Sequence, residues 1–240
     1  MPAPAETSVL VLGARGGIGR EISALATGRG MRVHGADRDE IDLRDAASVA
    51  PYIERLWAEH GPFDGVVYAA GLFPAAPILE TPATVFDDVF AVNTRAALEV
   101  GAAAARCAVA AARPLSLVYL SSPAGNRARP GTAVYAASKA ALDALVRGFA
   151  LEGAGRGIRC NAVAPGYTEV GSDINPIPDS YAREVARASP AGRVGVPADI
   201  APVVLWLLGG ESAWITGQTL VADGGASLGS PTMPSWLEPG

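Results

Sequence analysis

Two side chains invite a chemical reading first. Tyr135 and Lys139 stand four residues apart at the start of a helical pattern over 134–152, which puts a phenol and an ammonium on one helix face. A phenol works as a general acid/base near neutral pH only if its pKa comes down from about 10, and a nearby positive charge favours phenolate. With nothing else beside it, the pair reads more readily as a tyrosine packing its ring while a lysine snorkels. Lys139 is also the chain's one lysine against 18 arginines. A lone ammonium among guanidiniums is either a leftover or a place where a compact charge is required. Upstream lie Ser121-Ser122, with Ser122 thirteen residues before Tyr135, and Asn93 within Phe90-Ala-Val-Asn93-Thr.

A second chemistry begins near the N-terminus. Apolar residues 8–12 run into Gly13-Ala-Arg-Gly-Gly17-Ile-Gly19, which opens a helical pattern over 17–27. Between a strand and a helix, such glycines let the backbone approach a pyrophosphate that the helix N-terminus stabilises, with Arg15, Gly16 and Ile18 in the same turn. Glycine clusters at strand ends also form plain turns. Asp37 follows the second apolar run about 20 residues after the loop, where a carboxylate can accept both adenosine ribose hydroxyls and repel a 2′-phosphate. That favours NAD over NADP, although a solvated turn carboxylate is the other reading of Asp37. Arg15 and Arg38 are phosphate candidates that keep NADP open.

These residues need elements to hold them. Short apolar runs at 8–12, 31–36, 65–69, 115–121, 158–164 and 219–222 alternate with helical patterns at 17–27, 46–60, 83–112, 134–152 and 198–208. The alternation predicts parallel strands joined by crossover helices. The expected fold is α/β: one Rossmann-type, doubly wound parallel sheet of six to seven strands. Only four residues separate Asp37 from Asp42-Leu43-Arg44-Asp45, too few for a usual crossover, so a strand there should be reduced or absent. Residues 168–197 form one long stretch without a clear strand, with a helical patch at 181–188, as loops over ligands often do. Residues 1–228 read as one catalytic domain and 229–240 as a loose tail. Small residues Ala97, Gly101, Ala104, Ala105, Ala108 and Ala112 line one side of the long helical pattern, for close packing on the sheet or across a two-fold axis.

Composition narrows the classes further. The 240 residues are 50% hydrophobic and 18% charged with net charge −5, which argues against a disordered chain and a basic nucleic-acid surface. No apolar run reaches the roughly 18 residues of a membrane span, and the start lacks a basic leader, so the cytoplasm is expected. Cys107 and Cys160 lie in separate apolar segments and read as buried thiols. His34 and His60 lack clustered Cys or carboxylate companions, so neither a metal site nor a His-based triad is expected.

Taken in order, the motifs resemble the classical short-chain dehydrogenases/reductases over residues 8–228. They are Gly13-x-x-x-Gly17-x-Gly19, Asp42-Leu43, Ala69-Ala70-Gly71, Asn93, Ser122, Tyr135-x-x-x-Lys139, Asn161-Ala-Val-Ala-Pro165-Gly166, Gly192-Arg-Val-Gly-Val-Pro197 and Thr216-Gly-Gln with Asp223-Gly-Gly225. The resemblance implies that Tyr135 exchanges the substrate proton while hydride passes between carbon and nicotinamide. It implies that Lys139 binds the nicotinamide ribose and depresses the Tyr135 pKa, that Ser122 bonds the substrate oxygen, and that Asn93 holds a relay water. Asp42 and Leu43 would lie near the adenine, the Ala69-Ala70-Gly71 turn by the adenosine ribose, and Pro165, Gly166 and Thr168 by the carboxamide.

Three departures stand out against that family. Leu12 replaces a threonine, Tyr68-Ala69 replaces Asn-Asn, and the link after Asp37 lacks a helix; the first two remove hydrogen bonds that brace the cofactor turn. The expected pocket takes in Phe73, residues 123–126, Tyr167 and 168–197, with Arg127 and Arg129 able to meet an anion or, more simply, water. The implied substrate is a secondary alcohol or ketone. The chain looks most like dehydrogenases of cyclic dihydrodiols such as 2,3-dihydro-2,3-dihydroxybenzoate, with 3-oxoacyl reductases nearly as similar. An NADPH-dependent ketoreductase and a non-catalytic nucleotide-binding scaffold are the alternatives. A homotetramer built on the helices bearing Asn93 and Tyr135 is also implied.

Overall fold

The computed structural model describes residues 7–127, 129–171 and 178–229. Strands β1 (Ser8–Leu12), β2 (Arg32–Ala36), β3 (Gly65–Tyr68), β4 (Leu115–Leu120), β5 (Ile158–Pro165) and β6 (Thr219–Ala222) form one sheet in the order β2-β1-β3-β4-β5-β6. Every pairing is parallel. The α/β sheet therefore has six strands, and residues 37–45 form turns with no strand.

Helices α1 (Gly17–Gly28), α2 (Ala46–His60), α3 (Ala83–Phe90), α4 (Ala96–Ala110), α5 (Ala133–Gly153), α6 (Asp179–Ala188) and α7 (Pro197–Leu208) complete the layers. Because both faces of a parallel sheet are covered, its strands read as continuous apolar runs. Side chains still alternate. In β1, Leu10 and Leu12 join the core under α2, α4 and α5, whereas Val9 and Val11 join the core under α1 and α7. Asp45 caps α2 by accepting the Ala47 N–H at 3.1 Å.

The single helical pattern expected over 83–112 is divided. A π-helical turn, Ala91–Arg95, separates α3 from α4 and carries Asn93. The small-residue side of α4 packs inward: Ala97, Ala104 and Ala108 are fully buried. A Cβ on Gly101 would lie 2.0 Å from the Tyr119 hydroxyl and 3.0 Å from Phe149. Ala112 lies beyond the helix at φ 49°. Of the expected tail, residues 230–240 lie outside the described residues, as do 172–177 within the long stretch 168–197.

The strand order reverses at β1, whose neighbours β2 and β3 lie on opposite sides of it. In such sheets the crevice beyond the strand C-termini at the switch point receives ligands. The register brings those ends level, Leu12 opposite both Ala36 and Tyr68, Tyr68 opposite Tyr119 and Leu120 opposite Val163.

Candidate active site

β4 delivers Ser121 and Ser122 to the crevice, and α5 returns along it with Tyr135, Ser138 and Lys139. Ser122 caps the turn Pro123–Gly125 by accepting the Ala124 N–H at 3.2 Å, and its hydroxyl lies near enough to the Tyr135 phenol to favour the phenolate. Lys139 is only 4% exposed, and its Nζ donates to the Leu120 carbonyl at 2.7 Å. The same Nζ lies 5.6 Å from the centre of the Tyr135 ring. An ammonium carries three donors, so this one keeps capacity for ligand oxygens. A Cβ on Gly71 would stand 3.6 Å from Nζ and 3.4 Å from Asn93 Oδ1; the glycine keeps the space beside both open.

Asn93 is completely buried. Its Nδ2 donates to the Leu72 carbonyl at 2.9 Å and to Ser138 Oγ at 3.0 Å, while its Oδ1 accepts the Leu72 N–H at 2.7 Å. Ser138 in turn donates to the Tyr135 carbonyl at 2.7 Å. Asn93, Ser122, Tyr135 and Lys139 are thus brought together, with Phe73 set edge-on to the Tyr135 ring at 4.6 Å. Ser138 was overlooked in the sequence although it sits inside the Tyr-x-x-Ser-Lys run. Tyr68, read as a lost brace, donates to the Val92 carbonyl at 2.6 Å and ties β3 to the π turn.

The expected depression of the Tyr135 pKa needs correction. Burial raises it, and only the nearby Ser122 hydroxyl pulls it down. Burial likewise lowers the Lys139 pKa to about 8, opposed by the charge of Asp143. Both groups occupy a poorly solvated site, which disfavours whichever form is charged.

The glycine loop forms the other wall. Gly13 takes φ +81°, donates to the Ala36 carbonyl at 2.8 Å, and comes so close to the Ala69-Ala70 backbone that a Cβ would lie 2.7 Å from Ala70 N. A Cβ on Gly19 would meet the Gly13 carbonyl at 2.1 Å. Ile18 packs against the core. Gly16 opens α1 with no side-chain cap and no acidic residue in the first turn. That leaves an uncapped, positively polarised helix end suited to a phosphate. Val170 lies against this end, since a Cβ on Gly17 would stand 2.7 Å from its Cβ.

At the far end of the groove, Asp37 accepts the backbone N–H groups of Arg15 and Arg38 at 2.9 and 2.8 Å. The Arg15 guanidinium pairs with Asp39 and Glu40, so the sequence-level reading of it as a free phosphate ligand does not hold. Asp42 is exposed and forms two side-chain hydrogen bonds to Arg44, and Leu43 packs on the core. Pro165 ends β5, Gly166 backs onto Asp223, and Thr168 donates to the Gly166 carbonyl and bridges to Gly195.

Several motif residues prove to be ties between strands. Asn161 donates to the Ile215 carbonyl and accepts the Gln218 N–H, fixing the approach to β6. Arg127 donates to the Ala226 carbonyl at 2.6 Å. A cavity of about 470 Å³ under α6, lined by Tyr167, Ser189, Arg193, Asp223 and Leu228 among others, includes none of Asn93, Ser122, Tyr135 or Lys139. Among the described residues no cluster of three His, Cys, Asp or Glu side chains could hold a metal ion, and no helix is long and apolar enough to cross a membrane.

A doubly wound sheet whose crevice pairs an uncapped glycine-rich helix end with a Ser–Tyr–Lys cluster defines a Rossmann-type oxidoreductase, and the donor set fits a nicotinamide dinucleotide. Comparison with known proteins agrees. The family model described as enoyl-(acyl carrier protein) reductase matches residues 34–227. The 3-oxoacyl-[acyl-carrier-protein] reductase of Escherichia coli (strain K12) is 31% identical over 234 residues, covering 90% of this chain and 95% of that one. The 2,3-dihydro-2,3-dihydroxybenzoate dehydrogenase of the same organism is 31% identical over 243 residues, covering 93% and 98%. The ligand-free aldohexose dehydrogenase of Thermoplasma acidophilum superposes with a TM-score of 0.86 at 25% identity, covering 96% and 97%. The chain belongs to the classical short-chain dehydrogenase/reductase family. It is a nicotinamide-dependent oxidoreductase acting on CH–OH groups and the corresponding ketones.

Proposed function

We propose that the protein is an NAD-linked dehydrogenase of a secondary alcohol, with Tyr135 as general acid/base. The carrying observation is the Tyr135 phenol beside the Ser122 hydroxyl, with the buried Lys139 ammonium 5.6 Å from its ring beside Gly71. A bound nicotinamide would supply the hydride acceptor. Ser122 holds the substrate hydroxyl against Tyr135, and Tyr135 takes the hydroxyl proton as the carbon loses hydride and its C–O bond becomes a carbonyl. Lys139 directs its remaining N–H groups to ribose hydroxyls, while Ser122 is what favours the phenolate. The side-chain amide of Asn93 is engaged by Leu72 and Ser138, so it fixes the π turn and any relay water is bound through its backbone.

NAD is favoured because Asp37 accepts only backbone N–H groups here, and its carboxylate would oppose a 2′-phosphate at the adenosine end. Gly13, Gly16, Gly17, Ile18 and Gly19 take the pyrophosphate, Asp42 and Leu43 the adenine, Ala69, Ala70 and Gly71 the ribose, and Pro165, Gly166 and Thr168 the carboxamide. A cyclic hydroxyl or dihydrodiol suits the apolar edge of Phe73, and Arg127 is engaged by Ala226. The second reading, an NADPH-dependent 3-oxoacyl-type reductase, draws on the Escherichia coli reductase.

A homotetramer in the cytoplasm completes the proposal. The apolar face with Phe86 and Leu98 exposed on α3 and α4 supports assembly, and the free thiols Cys107 and Cys160 suit a reducing compartment.

The test is a panel of cyclic and acyclic alcohols with NAD and NADP. Tyr135→Phe should lower kcat/KM by about 10²-fold or more while NADH still binds. Unchanged turnover in that variant would remove Tyr135 from its role.

A further inference from the structure

Arg15 is the only cation of the glycine loop, residues 13–19, and three carboxylates engage it. Its backbone N–H is accepted by Asp37 Oδ2. Its guanidinium forks between two other carboxylates, one terminal nitrogen on Asp39 and the other on Glu40 Oε1. Glu40 uses its second oxygen, Oε2, to accept the Asp37 N–H at 2.9 Å. The short link after Asp37 produces this arrangement. The N–H groups of Glu40 and Ile41 both bond the Asp37 carbonyl, at 3.0 and 3.1 Å, so the chain doubles back and presses Asp39 and Glu40 onto the loop.

A guanidinium fork matches a phosphate as well as a pair of carboxylates. With one terminal nitrogen on each carboxylate, the fork that would grip a 2′-phosphate is already engaged. Three carboxylates against Arg15 and Arg38 also leave this end of the groove net negative.

We infer that Asp39 and Glu40 are specificity-determining residues: by holding the Arg15 guanidinium, they withhold the loop's cation from a 2′-phosphate and reinforce the discrimination begun by Asp37. The inference rests on the proposed placement of the adenosine ribose at Asp37. Neither residue touches the reacting atoms; both act through Arg15. The pairs are solvent-exposed, so each is individually weak and removing both charges gives the clearest signal.

The experiment measures NADH and NADPH dissociation constants by fluorescence titration, in the absence of substrate, for four proteins. These are the parent chain, Asp39→Asn, Asp39→Asn/Glu40→Gln, and that pair combined with Arg15→Ala; a thermal melt confirms folding of each. The double variant keeps side-chain shape and an acceptor for the Asp37 N–H while removing two charges. Its NADPH affinity relative to NADH should rise roughly five- to twentyfold, and Asp39→Asn alone should give about two- to fivefold. Adding Arg15→Ala should erase the gain. A ratio that stays within about twofold in the double variant overturns the inference, as does a gain that survives loss of Arg15. A parent chain that binds NADPH more tightly than NADH overturns the NAD reading instead. In that case, a further NADPH gain on removing the two charges would still support the clamp on Arg15.

Discussion

The Lys139 ammonium bonds the backbone rather than the phenol four residues before it: Nζ donates to the Leu120 carbonyl at 2.7 Å and lies 5.6 Å from the Tyr135 ring centre. The charge that opposes its desolvation is Asp143, one helical turn further on, itself buried and accepting the Thr219 hydroxyl at 3.1 Å. Lys139 is protonated below about 8 and loses its charge as pH rises through that value. NADH affinity should therefore weaken on the alkaline side. Asp143→Asn should move that weakening to lower pH, because the ammonium loses its supporting charge. Titrations of NADH affinity against pH for the two proteins check this, and superimposable profiles would sink it.

Tyr68 anchors the π turn from below through its hydrogen bond to the Val92 carbonyl, one residue before Asn93. Tyr68→Phe leaves that buried carbonyl without its donor and should cost about 1–2 kcal/mol. Thermal unfolding should fall by about 2–8 °C. A melting temperature equal to the parent's would show that the bond contributes nothing.

Two glycines in helices should respond oppositely to alanine. At Gly19 the added Cβ meets the Gly13 backbone carbonyl at 2.1 Å, whereas at Gly148 nothing lies within 4 Å. Gly19→Ala should destabilise by at least about 2 kcal/mol, since backbone cannot step aside cheaply. Gly148→Ala should stabilise by about 0.5–1 kcal/mol through helix propensity and a less free unfolded chain. Denaturant melts of both variants decide the matter, and similar midpoints would contradict it.

The His34 and His60 rings stack at 4.2 Å. Burial first, then His60 and Arg32, push the His34 pKa below 6.5 against Glu40 and Glu59. The unfolded chain thus takes up this proton before the folded one does. Stability contributed by neutral His34 is present above pH 6.5 and is lost as pH falls through the depressed folded value. His34→Asn should flatten the acid limb of the melting temperature between about pH 7 and 5. An equally steep limb in the variant would exclude His34 as its source.

The strands were legible because a sheet covered on both faces demands apolar runs, and the six runs match β1–β6 to within one residue. The Gly13–Gly19 spacing and the Tyr135–Lys139 pair were legible because both encode local geometry. The π turn was not, since the apolar pattern continues through Ala91 and Val92 as it would in an ordinary helix. The engagement of Arg15 by Asp39 and Glu40 depends on a loop and a strand end more than twenty residues apart. The direction of the Tyr135 shift was misread for a related reason: spacing reports a neighbour's charge but not how little water surrounds the phenol.

The solitary lysine has a practical consequence. With every other basic side chain an arginine or histidine, and Lys139 only 4% exposed, the outside of the protein carries no lysine amine for acylation, carbamylation or cross-linking. An acyl group on a lysine of this chain can sit only on Lys139 and marks entry into the crevice. Its yield, with and without a bound dinucleotide, counts how many molecules in a preparation hold that crevice open.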